Sequence, residues 1–124
     1  MDIVLADREA EIMEVLWDSG PSTVAEVKER VADELAYTTV LTILRNLEAK
    51  GYVTHDPEGK AHRYSPLVAR DAAQRSALRA MADKFFKGST AMVLTHLVAD
   101  EKLKPDDVKR LRTLLAKRSR KARP

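Results

Sequence analysis

Apolar residues recur along the chain in two periods, one helical and one strand-like, and their order outlines a fold. Between residues 7 and 17, Ile12, Met13, Leu16 and Trp17 form one apolar stripe. Glu9 and Glu11 lie near its start, where the positive end of a helix dipole favours carboxylates. Asp7 reads as the N-cap, and Asp18-Ser19-Gly20-Pro21 ends the helix. A second helix is expected from Thr23, with Glu26 completing a capping box and Val24, Val27 and Val31 on the buried face. After a turn near Glu34 to Ala36, a third helix spans Tyr37 to Lys50 and stops at Gly51. Its Val40, Ile43, Leu44 and Leu47 fall at i, i+3, i+4 and i+7, which predicts that they pack inward.

The period then changes. Tyr52-Val53-Thr54-His55 is β-prone, Asp56-Pro57-Glu58-Gly59 reads as a turn, and Lys60 to Ser65 returns as a second short strand. Three helices followed by a hairpin with a charged tip is the order of a winged helix-turn-helix, whose third helix is the one presented to a DNA major groove. Beyond Pro66 the pattern is helical again. Ala69 to Lys87 carries Ala73, Ala77, Leu78, Met81, Phe85 and Phe86, and Gly88 punctuates it. Thr90 to Asp100 carries Met92, Val93, Leu94, Leu97 and Val98, and Lys104-Pro105 opens a last helix with Val108, Leu111, Leu114 and Leu115. Three short helices gain most of their stability by packing, and these cannot all bury their apolar faces alone. A second copy of the chain is the economical partner, with a compact monomeric bundle as the other arrangement. The expected fold is therefore mainly α with a small β-hairpin: a winged helix-turn-helix over 1–67 and a three-helix dimerisation region over 68–124.

Composition narrows the functional classes. Hydrophobic residues make up 44% and charged residues 33%, the balance of a globular chain. There is no cysteine, which excludes disulfides, thiolate metal sites and a cysteine nucleophile. No apolar run is long enough to span a membrane, and the first residues lack a signal-peptide pattern, so a cytoplasmic protein without membrane insertion is expected. The formal charge of +3 leans towards a polyanionic partner. The last eight residues, Lys117 to Pro124, hold five Lys or Arg, a solvated end or a DNA-touching tail.

With its apolar residues turned inward, the third helix presents Thr38, Thr39, Leu41, Thr42, Arg45 and Asn46. Threonine hydroxyls bond phosphates or base edges, leucine carbons can meet a thymine methyl, arginine bonds guanine or phosphate, and asparagine pairs with adenine. Lys60, His62 and Arg63 follow the hairpin tip and can lie along the sugar–phosphate backbone. His55 and His62 are not directly opposite and have no third ligand, so neither a metal site nor a cofactor is expected. Three scattered histidines and the lack of a glycine-rich phosphate loop argue against an enzyme. The alternative to DNA binding is a winged-helix adaptor that uses the same surfaces for protein.

These residues together resemble the BlaI/MecI penicillinase-repressor family, whose relatives include the CopY copper-responsive repressors. The matching stretches are Glu9-x-Glu11-Ile12-Met13-x-x-Leu16-Trp17, then Thr39-Val40-x-Thr42-x-x-x-x-Leu47-x-x-Lys50-Gly51, then Lys60-x-x-x-Tyr64. Lys87-Gly88, the run Val93-Leu94-Thr95-His96-Leu97-Val98, and Leu111-Arg112 follow in register. The resemblance implies a homodimeric repressor on palindromic operator DNA, a regulator of antibiotic resistance, with Thr39 and Thr42 near the bases. It also implies dimerisation through the C-terminal helices, where Met92, Val93, Leu97, Val108, Leu111, Leu114 and Leu115 stand. Family repressors induced by β-lactam sensing are cut at an Asn-Phe bond. The equivalent pair here is Thr95-His96, which marks the proteolytic-switch position, with a membrane sensor peptidase as the implied partner and an altered site preference. The cysteine motif of the copper-responsive relatives is missing, so copper–thiolate sensing is excluded.

Overall fold

A computed structural model of the chain describes residues 2–100 and 103–122. Its elements run α1 Asp7–Ser19, β1 Ser22–Thr23, α2 Val24–Arg30, α3 Tyr37–Ala49, β2 Val53–Glu58, β3 Ala61–Pro66, α4 Arg70–Phe85, α5 Thr90–Ala99 and α6 Pro105–Ala122. The expected mainly α fold with a small antiparallel sheet is present. The chain divides into two compact units, Met1–Leu78 and Arg79–Pro124, so α4 begins in the first and ends in the second. Arg123 and Pro124 of the basic tail lie outside the described residues. No helix among the described residues is long and apolar enough to cross a membrane.

In the first unit, three helices close on a small sheet. Ile12, Met13 and Leu16 of α1, Val27 of α2, Val40, Leu44 and Leu47 of α3, and Val53 and Tyr64 of the sheet are all fully buried. Removal of such side chains from water stabilises by about 1.5–3 kcal/mol each, which is what holds α3 against the rest. Ile43 is only partly buried and packs at the margin of this core. One polar contact reinforces the assembly. Glu9 is buried, and its carboxylate accepts from Lys50 Nζ at 2.8 and 2.9 Å and from the Ala6 N–H at 2.8 Å. The start of α1 is thus pinned to the end of α3. Ala6, rather than Asp7, is the N-cap of α1, because Glu9 reaches back to the open N–H and Asp7 becomes the first helical residue. The capping box of α2 forms as expected, with Glu26 N–H donating to Thr23 Oγ1 at 3.2 Å and Thr23 N–H to Glu26 Oε1 at 3.0 Å.

The sheet has three strands in the order β1-β3-β2, not the two of a bare hairpin. Ser22 and Thr23 pair with Tyr64 and Arg63, fastening the wing to the entry of α2. The β2–β3 hairpin is also longer than its sequence suggests. Pairing continues through Pro57↔His62 to Glu58↔Ala61, leaving Gly59-Lys60 as the turn, with Gly59 at φ 61°. Pro57 is tolerated because β2 is an edge strand, where one missing N–H leaves no ladder bond unmade.

The second unit is built around a sharp reversal. Lys87 and Gly88 both adopt positive φ, 50° and 78°, and Gly88 N–H donates to Ala82 O at 2.9 Å, which ends α4. Ser89 then caps α5 by accepting from Met92 N–H at 3.1 Å. Ala82 and Val93 are buried within this unit, and Phe86 meets His96 edge-on at 5.4 Å. Pro105 opens α6 from the first helical position, where its missing N–H costs nothing.

Candidate nucleic-acid interface

The first unit carries nine Lys and Arg against fourteen Asp and Glu, a formal charge of −5. A net-acidic body repels a polyanion, so any nucleic-acid surface on it must be local. Six of the nine cations are neutralised within the unit. Arg8 pairs with Glu11 and Asp33, Arg30 with Glu26, Lys50 with Glu9, Arg63 with Glu26 and Glu58, Arg70 with Glu14 and Asp18, and Arg75 with Asp71. Among the described residues of this unit, Lys28, Arg45 and Lys60 make no ion pair. Two of these three meet at one place. Tyr37, Leu41 and Arg45 of α3 line a groove with Val24, Lys60, Ala61 and His62, so the third helix and the wing share one surface. At about 160 Å³ the groove is smaller than a small-molecule site, and its open form suits a strand edge rather than an enclosed ligand.

Along α3, Thr38, Thr39, Thr42, Arg45 and Asn46 are exposed, and Leu41 is half-buried against the core, forming the floor of the groove. The Thr42 hydroxyl donates to Thr38 O at 2.9 Å, so it faces a ligand as an acceptor. The N-cap of α3 is Ala36, which offers no side-chain cap, and its first turn has no carboxylate. Its leading N–H groups and dipole therefore point outward uncompensated, which favours an anion there. Tyr37 was not among the residues singled out by sequence. It is the first residue of α3 and is about half exposed, and an aromatic standing before a polar helix face is the signal that could have found it.

Arg63 is placed differently from Lys60 and His62. Its Nη2 and Nε donate to Glu58 at 2.8 and 3.1 Å, and its Nη1 donates to Pro21 O at 2.9 Å and approaches Glu26 at 3.1 Å. The guanidinium fork joins wing, β1 and α2, and its charge is met twice over. Arg63 holds the Glu58 carboxyl below the usual range, and Glu58 in turn raises the Arg63 guanidinium. Glu26 is also lowered, first by the Thr23 N–H of the capping box.

The histidines connect the wing to the far end of α3. His55 and His62 stack at 4.4 Å with planes 6° apart, and His55 Nδ1 lies 2.6 Å from Glu48 Oε2. They sit diagonally, since His55 pairs with Tyr64 and Pro57 with His62. No group of three or more His, Cys, Asp or Glu among the described residues is arranged to hold a metal ion. In the second unit, Thr95 and His96 lie inside α5, with the Thr95 hydroxyl donating to Ala91 O at 2.8 Å and the peptide bond between them within regular helix. Met92, Leu97, Leu114 and Leu115 are each 50–56% exposed, whereas Val93 is buried and Val108 and Leu111 are half-buried.

Comparison with known proteins gives consistent matches. The sequence family described as penicillinase repressor matches residues 5–117. The transcriptional regulator BlaI of Mycobacterium tuberculosis is 36% identical over 116 residues, spanning 90% of this chain and 83% of that protein. The methicillin resistance regulatory protein MecI of Staphylococcus aureus is 22% identical over 116 residues, spanning 92% of this chain and 94% of its own length. Among solved structures, a MarR family protein from Bacillus stearothermophilus superposes with a TM-score of 0.50 at 16% identity, over 81% of this chain and 73% of that one, a likeness of fold.

Proposed function

The chain belongs to the penicillinase repressor family, and on that premise we propose that it is a homodimeric transcriptional repressor of a twofold operator. The observation that carries this reading is the convergence of Arg45 and Lys60, two of the three cations of an acidic unit that make no ion pair among the described residues, on the groove between α3 and the wing. Residues 1–67 grip DNA. Thr38, Thr39, Thr42, Arg45 and Asn46 face the major groove over a Leu41 floor, while Lys60 and His62 meet the sugar–phosphate backbone. Arg63 sets the position of the wing through Glu26 and Glu58.

Residues 68–124 join two copies. Support comes from the apolar surface that the single chain leaves open: a groove of about 380 Å³ between α5 and α6, lined by leucines and valines such as Leu94, Val98, Leu111 and Leu115 and edged by Arg112 and Arg118. Each half-site contributes few contacts, so linking two makes the complex much tighter, and loss of the dimer frees the operator. Release follows from destabilisation or cleavage of this region. The Thr95–His96 bond is the candidate position, and a membrane sensor peptidase is the candidate agent; because the bond lies in helix, cleavage requires α5 to open locally. From the names of the relatives we carry over regulation of antibiotic-resistance genes as the role.

The test is fluorescence anisotropy of the full chain on labelled DNA from upstream of its own gene, against a scrambled duplex, at several salt concentrations. Selective, salt-steep binding with two subunits per site is expected. Equal and weak binding to both, with no selected sequence from a random duplex pool, would return the molecule to a protein-binding adaptor.

A further inference from the structure

The charge that the first unit lacks is concentrated in the second. Residues 79–124 hold thirteen Lys and Arg against five Asp and Glu, a formal charge of +8 beside the −5 of residues 1–78. The excess sits mainly on α6, an amphipathic helix whose polar side is cationic. At 100° per residue, Val108, Leu111, Leu114 and Leu115 share one face, and Lys109, Lys117 and Arg120 share the opposite one with a single carboxylate, Asp106, at its N-terminal end. Lys109, Lys117 and Arg120 are exposed, and none of them makes an ion pair among the described residues. The single ion pair on this helix among the described residues is Arg110 with Asp107. This differs from the first unit, where most cations are already matched. An ordered, unmatched cationic face opposite an apolar one leaves the apolar side free for protein packing while the charged side meets a polyanion.

We propose that the cationic face of α6, Lys109, Lys117 and Arg120, is a second DNA-contacting surface that binds duplex phosphates without reading sequence. The proposal rests on the DNA-binding reading above and extends it to a part of the chain outside the winged helix. Duplex DNA is favoured over an anionic membrane by the helix's own geometry. Membrane binding of an amphipathic helix buries its apolar face among acyl chains, whereas here Val108 and Leu111 are half-buried within the unit, and the exposed Leu114 and Leu115 line the groove assigned above to a second copy. DNA needs only the opposite side. The three cations span about 16 Å of helix axis at 1.5 Å per residue, which is enough to meet two or three phosphates. The consequence is a division of labour: α3 discriminates between sequences, and α6 supplies affinity that every duplex shares and that partly offsets the repulsion from the acidic first unit.

The experiment compares the full chain with the triple variant Lys109→Gln/Lys117→Gln/Arg120→Gln on upstream and scrambled duplexes, each over a salt series. Gln keeps a similar helix propensity and removes the charge, and circular dichroism and sedimentation check fold and dimer. The expected result is a roughly ten-fold or greater loss of affinity at low salt, equal for both duplexes, with a salt slope shallower by about 0.9 for each lost phosphate contact. Selectivity for upstream DNA stays unchanged. Unaltered affinity and slope on both duplexes would overturn the proposal. So would unaltered duplex binding together with loss of binding to phosphatidylserine vesicles, which would give the face to a membrane. If the parent chain itself shows no preference for upstream DNA, the operator reading fails, yet the scrambled duplex still decides the role of α6.

Discussion

The two units of this chain use the same residue types in opposite ways. In the first, Leu16, Leu44 and Leu47 are wholly buried, and most arginines are held by carboxylates. In the second, Leu97, Leu114 and Leu115 are more than half exposed, and α6 carries unmatched cations. The first unit closes a core and matches most of its cations, with Val4, Leu67 and Leu78 left exposed, so the unmatched pair Arg45 and Lys60 on one groove stands out. The second leaves Met92, Leu97, Val98, Leu114 and Leu115 exposed, and under the proposed function a second copy covers them. Under the proposed function, a signal that acts on the second unit would alter occupancy of DNA without touching the residues assigned to face it.

The sharpest way to break this comparison is to remove one leucine from each unit. Leu44→Ala should lower stability by about 3 kcal/mol, since it leaves a cavity in a closed core. The shift in a urea melt should not depend on protein concentration. Leu111→Asp should instead act through assembly, so sedimentation equilibrium should show dissociation at concentrations where the parent is dimeric, with operator affinity falling alongside. A Leu111→Asp protein that stays dimeric and holds its operator would mean that the open apolar surface is not the junction between copies.

Next in size is the ion pair that fastens α1 to α3. Burial pushes the Glu9 carboxyl upward, but the bonds from Lys50 and the Ala6 N–H outweigh it, and the group is held below the usual glutamate range. Its folded-state value is depressed, so its contribution is complete above about pH 4.3, where an unfolded glutamate ionises, and is lost as pH falls through the lower folded value. Glu9→Gln should cost about 2 kcal/mol at neutral pH. The two proteins should converge in strongly acidic solution. Parallel curves down to the acid limit would place the stabilisation in packing rather than in charge.

Arg45 and Lys60 then separate reading from gripping. Arg45→Gln should weaken upstream DNA by about 1–3 kcal/mol and scrambled DNA by less, as expected of a base contact. Lys60→Gln should weaken both equally and reduce the salt slope by about 1. Equal losses on both duplexes for Arg45→Gln would move it to the backbone and leave discrimination to Thr39, Thr42 and Asn46.

Much of this was legible in the residues because the informative signals are local. The spacing of Val40, Leu44 and Leu47, the capping box of Thr23 and Glu26, and the stop at Gly51 each involve neighbours within a turn or two, and each element forms where they lie. What escaped was set by distant partners. Strand β1 is only two residues long and exists because β3 pairs with it. Pro57 marks a turn by composition, but becomes strand because β2 lies at an edge. Nothing near Lys60 and Arg63 in sequence tells them apart; the pairing of Arg63 with Glu26 depends on the return of the wing to α2.

That distinction gives the smallest effect. If Arg63 is held by Glu26, Glu58 and the Pro21 carbonyl, then Arg63→Gln should loosen the wing and lower affinity slightly, to the same extent on both duplexes. The salt slope should not move, because no phosphate contact is lost. A slope shallower by about 0.9, the value for a single released counterion site, would instead mean that the guanidinium leaves its carboxylates for a phosphate when DNA arrives. In that case the ion pairs of the free protein are a resting arrangement, Glu26 and Glu58 compete with the backbone for the same fork, and Glu58→Gln should tighten binding to any duplex. The sign of that second change, read beside the slope of the first, decides whether the wing is positioned by Arg63 or grips through it.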